Sequence, residues 1–540
     1  MITNPIPDPE ALPLNDEVSP MITTSSSYRQ RRSSRGSSLL LAALIAVAAV
    51  ILSGCTPARD VGSPSSTPTN GGSVTFAIAV DALPSGEFQT LNRNNSWIQN
   101  VFQPIMTIAA PGQAPKPLLA TKWQLSANKL SLDITLRKDV TFQTGRPMTA
   151  DDVKYSIAQS ITPLGASNLG NVAKSFTAVT VVSPTELTIT VSSPQASLYD
   201  YLAQTRIVDK DTYAGIADGS KVIGTGPYMF TDWKPGASFT LKKYAGYWDA
   251  KDVHLDTIHY IVTTDATAEL TALRSGRAQL ASGLTAVNAQ SFATNKQYHI
   301  VDSGDTIYPF GMNTTVAPFN NVKVRQAVAL ALDATRVNKQ IFADSAYQSN
   351  VMWAKGAPGI TSALTNKYDY DLATAKKMIQ AAGATGAAVP VEYGANPVVR
   401  AIYEIVANNL TAIGLVPSAK VVDQPTFSAG QLTGDLGTAF ISLHVVTTPA
   451  TMLNALPTLR KGNPSKFYTP EYDSLRTAYL GATTSTSSTT LQALSKYMVD
   501  QAFLVPIVQA PDRIVVSSSV QGVSTVMGGP ILLQNAYVTK

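Results

Sequence analysis

The chain has 540 residues, 44% of them hydrophobic, and a formal net charge of +5. A single cysteine, Cys55, excludes an internal disulfide and a cysteine-built metal cage. Charged residues make up 14%, below the roughly 25% of ordinary soluble domains. No dense Lys/Arg cluster stands out after the leader, which argues against nucleic acid as a partner.

In chain order, Arg29, Arg31, Arg32 and Arg35 precede an unbroken apolar run from Leu39 to Leu52. That run spans 14 residues, against about 20 for a helix that crosses a bilayer. A positive stretch, a short apolar stretch and small residues form the layout of an export signal. Leu52-Ser53-Gly54-Cys55 resembles the lipobox of bacterial lipoproteins. The resemblance implies a signal peptide over 1–54, cut before Cys55, and acyl chains on Cys55 that anchor the protein to the outer face of the cytoplasmic membrane. Met1 and Met21 both remain as starts, and the paired arginines leave general and twin-arginine export open. Residues 55–72 are rich in Pro, Ser, Thr and Gly. They read as a flexible tether with a reach of about 20–25 Å.

Val74, Phe76, Ile78 and Val80 alternate with small residues and predict a buried strand. In "NKLSLDITLRKDVTFQTGRPMTADDVKYSI" (128–157), Leu130, Leu132, Ile134 and Leu136 alternate with polar residues, as in a strand with one wet face. Lys138-Asp139 turns the chain, and Val140 and Phe142 return to a core. Thr149 is placed as the cap of a helix with Asp151 and Asp152 in its first turn and an apolar stripe of Val153, Ile157 and Ile161.

The order Ala120, Trp123, Asn128, Arg137, Asp139-Val140, Phe142, Gly145 and Thr149 to Val153 is similar to the signature of family 5 extracytoplasmic solute-binding proteins, the peptide- and nickel-type receptors of ABC importers. Thr144 departs from it, standing where the family usually has Asn or Asp. "GTGPYMFTDWKPGASFTLKKYAGYW" (224–248), "ATAELTALRSGRAQLA" (266–281) and "FGMNTTVAPFNNVKVRQAVALALDATRV" (310–337) resemble further hallmarks in the family's order. Gly224, Gly226 and Pro227 read as a turn, and Val324, Ala327, Val328, Ala331 and Leu332 as a helix face. Two more helices are expected, one capped by Asp371 and stopping at Gly383, the other within 406–416 and ending at Gly414.

An enzyme is not indicated. No nucleophile elbow, phosphate loop or His-Glu-x-x-His helix is present. The four histidines, His254, His259, His299 and His444, offer no metal set, and no catalytic residue, metal site or cofactor is assigned. The resemblance implies an α/β, periplasmic-binding-protein-like fold of class II, cluster C: two lobes, a hinge crossed twice, and an extra subdomain in lobe one. Mapped by motif order, lobe one covers 73–305, with the subdomain at about 111–205. Lobe two covers 312–500, and 503–540 return to lobe one. Crossings are expected near 307–313 and 503–511.

Such a protein captures solute by hinge closure and presents it to the transmembrane subunits of an ABC permease, as a monomer. Trp97 and Trp353 lie in loop-like stretches outside the motifs and are candidates for ligand platforms, whereas Trp123, Trp233 and Trp248 read as core. Met312 and Asn313 beside the hinge, with His444 and Thr447, complete the candidate ligand-binding set. The segment "TAFISLHVVTTPATML" (438–453) lacks the acidic residue with which peptide-binding relatives often hold an amino terminus. The solute is therefore a peptide or another polar molecule, with an oligosaccharide or a nickel chelate as alternatives. A surface lipoprotein of the same fold acting as signalling receptor or chaperone is the rival role.

Overall fold

The computed structural model describes residues 68–88, 94–162, 169–483 and 485–539. The signal segment, Cys55 and most of the tether lie outside the described residues.

One mixed sheet of 11 strands forms the spine. From one edge its order is Val416–Val422, Ala388–Gly394, Ala439–Ile441, Tyr298–Met312, Leu504–Ser517, Leu280–Ala281, Ser73–Ile78, Thr257–Val262, Ser238–Lys243 and Tyr228–Lys234. The short strand His444–Val445 sits off this path beside Tyr298–Met312. Strand 73–78 is flanked by two parallel neighbours and reads as a nearly continuous apolar run, as strands buried on both faces do. It stops at Ile78, so Val80, expected inside, is 45% exposed.

Two lobes hang on this spine. Apolar residues between positions 307 and 510 form one core. A second is built from residues 74–260 together with Leu280 and the tail 514–536. A third occupies 105–207, joined by Met527. It covers the four-stranded sheet Ala120–Leu125, Ser131–Leu136, Glu186–Val191, Phe176–Ser183, which is the extra subdomain of lobe one.

The alternation read over 130–136 is a strand of this sheet, with Leu132, Ile134 and Leu136 buried and Asp133 exposed. Helix Ala150–Gln159 follows, and its start is a reciprocal cap between Thr149 and Asp152. The helix ends before Ile161, which is 43% exposed rather than part of the apolar stripe. Arg146 ties the preceding loop together, with Asp152 at 2.5 Å, Asp211 at 3.1 Å and Asp209 also in contact. Thr144, the departure from the family pattern, donates to the same Asp209 at 3.4 Å.

Gly224 and Gly226 serve close approach rather than a turn. A Cβ on Gly226 would stand 2.5 Å from the Asn100 carbonyl oxygen, and one on Gly224 would stand 2.0 Å from that of Val101. In lobe two, the helix expected within 406–416 runs over Pro397–Ala412, starts from the Asn396 side-chain cap, and turns out through Gly414 at φ 96. Asp371 caps Leu372–Ala381 as expected, accepting from the Thr374 N–H.

The lobes are joined by the antiparallel pair Tyr298–Met312 and Leu504–Ser517, of 15 and 14 residues. Their register runs from Tyr298 opposite Ser517 to Gly311 opposite Leu504 and is broken twice, between Asp302 and Asp305 and between Tyr308 and Pro309. At the first break Gly304 takes φ 91, a conformation that favours glycine. Pro309, Pro506 and Pro511 lie within the ladder, and each removes a donor from it.

Candidate functional site: the cleft between the lobes

The hinge strands form one wall of a cavity between the lobes, about 190 Å³ in volume. This is the room of about six waters. Lobe one contributes Asn95, Ser96, the stretch 282–286 and Ile531, whereas Tyr308, Phe342 and Val398 come from the side of the other core. Ala510, Pro511, Asp512 and Arg513 line it from the returning strand.

Local structure holds each wall in place. Asn95 and Ser96 precede the short helix Ile98–Val101, whose four residues are all buried. The Tyr260 hydroxyl donates to the Ser96 carbonyl at 2.7 Å, and Ile531 N–H donates to that of Asn95 at 2.7 Å. The 282–286 wall is anchored by Glu269, whose Oε1 accepts from Ser282 N–H at 3.1 Å and Gly283 N–H at 2.9 Å. Burial pushes the Glu269 carboxyl up to about 7 against those two bonds.

The hinge carries two acids. Asp512 Oδ2 accepts from the Thr306 hydroxyl at 3.0 Å. Asp305 Oδ2 stands 3.2 Å from the Tyr347 hydroxyl, which also contacts Gln509 Oε1. Burial raises both carboxyls, Asp512 to about 6, and each is raised further by a neighbouring acid: Asp305 acts on Asp512, and Asp302 on Asp305. Arg513, the adjacent cation, lines the same cavity: its Nη1 donates to Gln290 at 2.7 Å, and its Nε lies 3.5 Å from the exposed Asp302 and makes no hydrogen bond.

Away from the hinge the lobes touch directly. Asp200, on the lobe-one helix Leu198–Gln204, accepts from the hydroxyls of Thr448 and Thr451 at the start of the lobe-two helix Pro449–Ala455. Asn454 donates to Ser197 Oγ at 2.9 Å, and Asn171 donates to the Asn454 carbonyl at 3.2 Å. Burial raises the Asp200 carboxyl, and the two hydroxyls partly offset it. These bonds bridge the cleft, so the described form is closed.

None of the six residues expected to bind ligand lines this cavity. Trp97 is wholly buried among Phe102, Phe230 and Phe239, and its indole N–H donates to Asn94. Trp353 is 1% exposed and donates to Ser495 Oγ at 2.8 Å. The tryptophans expected in the core, Trp123, Trp233 and Trp248, are the partly exposed ones. Met312 is buried in the lobe-two core. Asn313 donates to the Gly437 carbonyl and accepts from the Thr315 N–H and hydroxyl, a local hinge brace. His444 is enclosed, its Nε2 3.1 Å from Ser442 Oγ and 3.2 Å from Thr458 Oγ1, and burial lowers it to about 4. Thr447 is buried next to the bridging Thr448. Sequence reasoning missed Asp512, although an acid directly after the "QAP" end of the return crossing was a usable signal. Ser96, Asp200 and Glu269 carried none.

Among the described residues no set of three His, Cys, Asp or Glu side chains is placed to hold a metal ion, and no helix is long and apolar enough to cross a membrane.

Comparison with known proteins gives a consistent picture. Residues 114–464 match the family described as bacterial extracellular solute-binding proteins, family 5 Middle. Among curated relatives, the dipeptide-binding protein DppE of Bacillus subtilis is 26% identical over 317 residues, 54% of this chain and 58% of that one. The glutathione-binding protein GsiB of Salmonella choleraesuis is 30% identical over 276 residues, 50% of this chain and 53% of the relative. The chain thus spans little more than half the length of these relatives. Among solved structures, DppA of Helicobacter pylori in complex with the peptide STSA superposes with a TM-score of 0.75 at 19% identity, covering 87% of this chain and 99% of that one. AgaA of A. tumefaciens R10 in complex with agropinic acid gives 0.74 at 21%, covering 87% and 99%. These likenesses establish the fold.

Proposed function

The chain belongs to the bacterial extracellular solute-binding proteins of family 5, and from that premise we propose that it is the lipid-anchored receptor of an ABC importer. It captures a short peptide or a similar polar solute in the cleft and delivers it to the permease. The observation that carries this reading is the cleft itself: a hinge crossed twice on one side, a hydrogen-bonded bridge from Asp200 to Thr448 and Thr451 on the other, and a partly open cavity lined from both lobes.

Closure explains capture physically. A solute held by one lobe gains contacts with the second only as the cleft shuts, so binding shifts the population toward the closed form. Removal of water strengthens each polar contact. A permease that docks both lobes reads the change in their relative placement. Nothing in this cycle requires bond chemistry, in keeping with relatives that are named for binding rather than for a reaction. Attachment through Cys55 would keep the receptor beside the membrane.

Small-angle scattering of the mature chain tests the capture step. A dipeptide or tetrapeptide pool is expected to reduce the radius of gyration at saturation. A radius unchanged by peptides, oligosaccharides and metal chelates alike overturns the reading. Anchoring is tested separately: Cys55→Ala is expected to move the protein from the membrane to the soluble fraction.

A further inference from the structure

The lobe-one helix Leu198–Gln204 meets the lobe-two helix Pro449–Ala455 through one acid. Asp200 is 6% exposed, and its partners across the cleft are the hydroxyls of Thr448 and Thr451, the second at 2.6 Å. Both donate to the same oxygen, Oδ2, and Oδ1 accepts no hydrogen bond among the described residues. Hydroxyls are neutral donors, so a carboxylate here gives up its hydration without meeting a positive charge. A buried charge without a counterion is costly, whereas the neutral acid is not. Gln204, one turn along the same helix, keeps its Oε1 buried and without a donor, so an acceptor for a carboxylic O–H stands one turn away.

The elements packed around Asp200 supply no counterion. Helix Pro470–Leu480 brings Arg476 and Tyr479. Arg476 spends its Nη2 on the Leu453 carbonyl and on Asn454 Oδ1, at 3.1 Å each. The Tyr479 phenol is neutral, and burial raises it to about 12. On the Asp200 helix itself, burial raises the phenols of Tyr199 and Tyr201. Lys174, after the short helix Gly170–Ala173, is exposed. Strand Met106–Thr107 and helix Pro449–Ala455 contain no titratable side chain. The start of the latter helix does not reach Asp200 through its backbone: the Thr451 N–H goes to Thr448 Oγ1 at 3.3 Å.

We propose that Asp200, Thr448 and Thr451 form a proton-linked latch on the cleft, which protonation of Asp200 holds shut and ionisation releases. The latch goes beyond the receptor reading and rests on its hinge. The sign follows from burial. Opening parts Asp200 from both hydroxyls and returns it to water, where its ordinary value of 3.8 applies, whereas in the closed form burial raises it. The closed form therefore binds the proton more tightly. As pH falls through the raised value toward 3.8, closure takes up a proton and is favoured; as pH rises, the ionised acid favours opening. One linked proton shifts the closed-to-open ratio by at most about tenfold per pH unit. Capture of a solute by closure then carries a proton that water supplies, and affinity rises in mild acid even for a solute that does not itself titrate.

The test needs no solute. Small-angle scattering of the unliganded mature chain at about pH 8 and about pH 5 is expected to give the smaller radius of gyration at the lower pH. Asp200→Asn keeps an acceptor for both hydroxyls and carries no charge. It is expected to be as compact at the higher pH as the parent is at the lower, and to change little between them. If that variant does not fold, Thr451→Val serves, because it leaves the Thr448 cap and removes a bond that is stronger to the ionised acid; it is expected to widen the difference between the two pH values, and an equal or narrower one overturns the latch. A parent radius that does not fall with pH also overturns it. So does an Asp200→Asn variant that follows pH as the parent does, which assigns the response to the hinge acids Asp305 and Asp512. A chain that compacts with peptides at constant pH but not with acid loses the latch and keeps the receptor reading. One that compacts with acid and with no solute keeps the latch and loses the receptor reading.

Discussion

His444 and Asp512 feel burial with opposite consequences. The imidazole is lowered from 6.5 to about 4, so the folded state binds fewer protons than the unfolded one between those values, and this group costs stability as pH falls through that window. The carboxyl is raised from 3.8 to about 6, so the folded state binds more protons there and gains stability as pH falls from 7 toward 4. Besides burial, the groups that act on Asp512 are the Thr306 hydroxyl, which lowers it, and Asp305, which raises it. Melting curves of Asp512→Asn and the parent are expected to differ most at pH 7.5, with the variant the more stable, to close progressively below pH 6 and to converge only near pH 4, the carboxyl's unfolded value; a constant gap would contradict the shift. For His444, the ring resonances are expected to show no titration between pH 5 and 8. His444→Ala is expected to cost about 2–4 kcal/mol by chemical denaturation while solute affinity is retained, because it leaves a cavity and two orphaned hydroxyls.

At the level of elements, packing decided what periodicity could not. Alternation over 130–136 locates a strand because that element has one wet side, and helical spacing over 324–332 locates a helix although it is buried nearly all round, Lys323 being its exposed residue. Glycine spacing at 224–227 was legible as a special backbone site, yet its reason, the carbonyls of Asn100 and Val101, lies more than 120 residues upstream and leaves no local mark. Gly226→Ala is therefore expected to destabilise by about 1–3 kcal/mol, measurable in urea, although the position looks like a tolerant turn. Two tryptophans depart from expectation for a similar cause, whereas Trp123, Trp233 and Trp248 pack against the cores while partly exposed. Trp97 and Trp353 sit in segments without regular period, and such segments read as surface. Here they are buried connections whose side-chain partners, Asn94 and Ser495, satisfy the indoles. The cavity was the least legible part, because Ser96, Tyr308 and Asp512 are brought together only by the crossing of the two long strands.

For the molecule as a whole, the contacts that bridge the cleft should set how often it stands open without solute. Asp200 bonds Thr448 and Thr451, and Asn454 bonds Ser197, a small interface in which Ala455 also packs against the subdomain core. Asp200→Ala is expected to expand the unliganded protein in small-angle scattering and to weaken solute affinity several-fold while leaving its melting temperature nearly unchanged. An unaltered scattering profile would show that the bridge does not govern opening.

The paired hinge strands have one more consequence. Tyr308 and Asp512 belong to the paired strands that join the lobes and, at the same time, to the lining of the cavity proposed to receive cargo. A molecule seated there presses on the pivot itself. Occupancy and rotation are then one mechanical event with no relay between them, and a solute too bulky for that lining would prop the lobes ajar however well it suits the rest of the mouth.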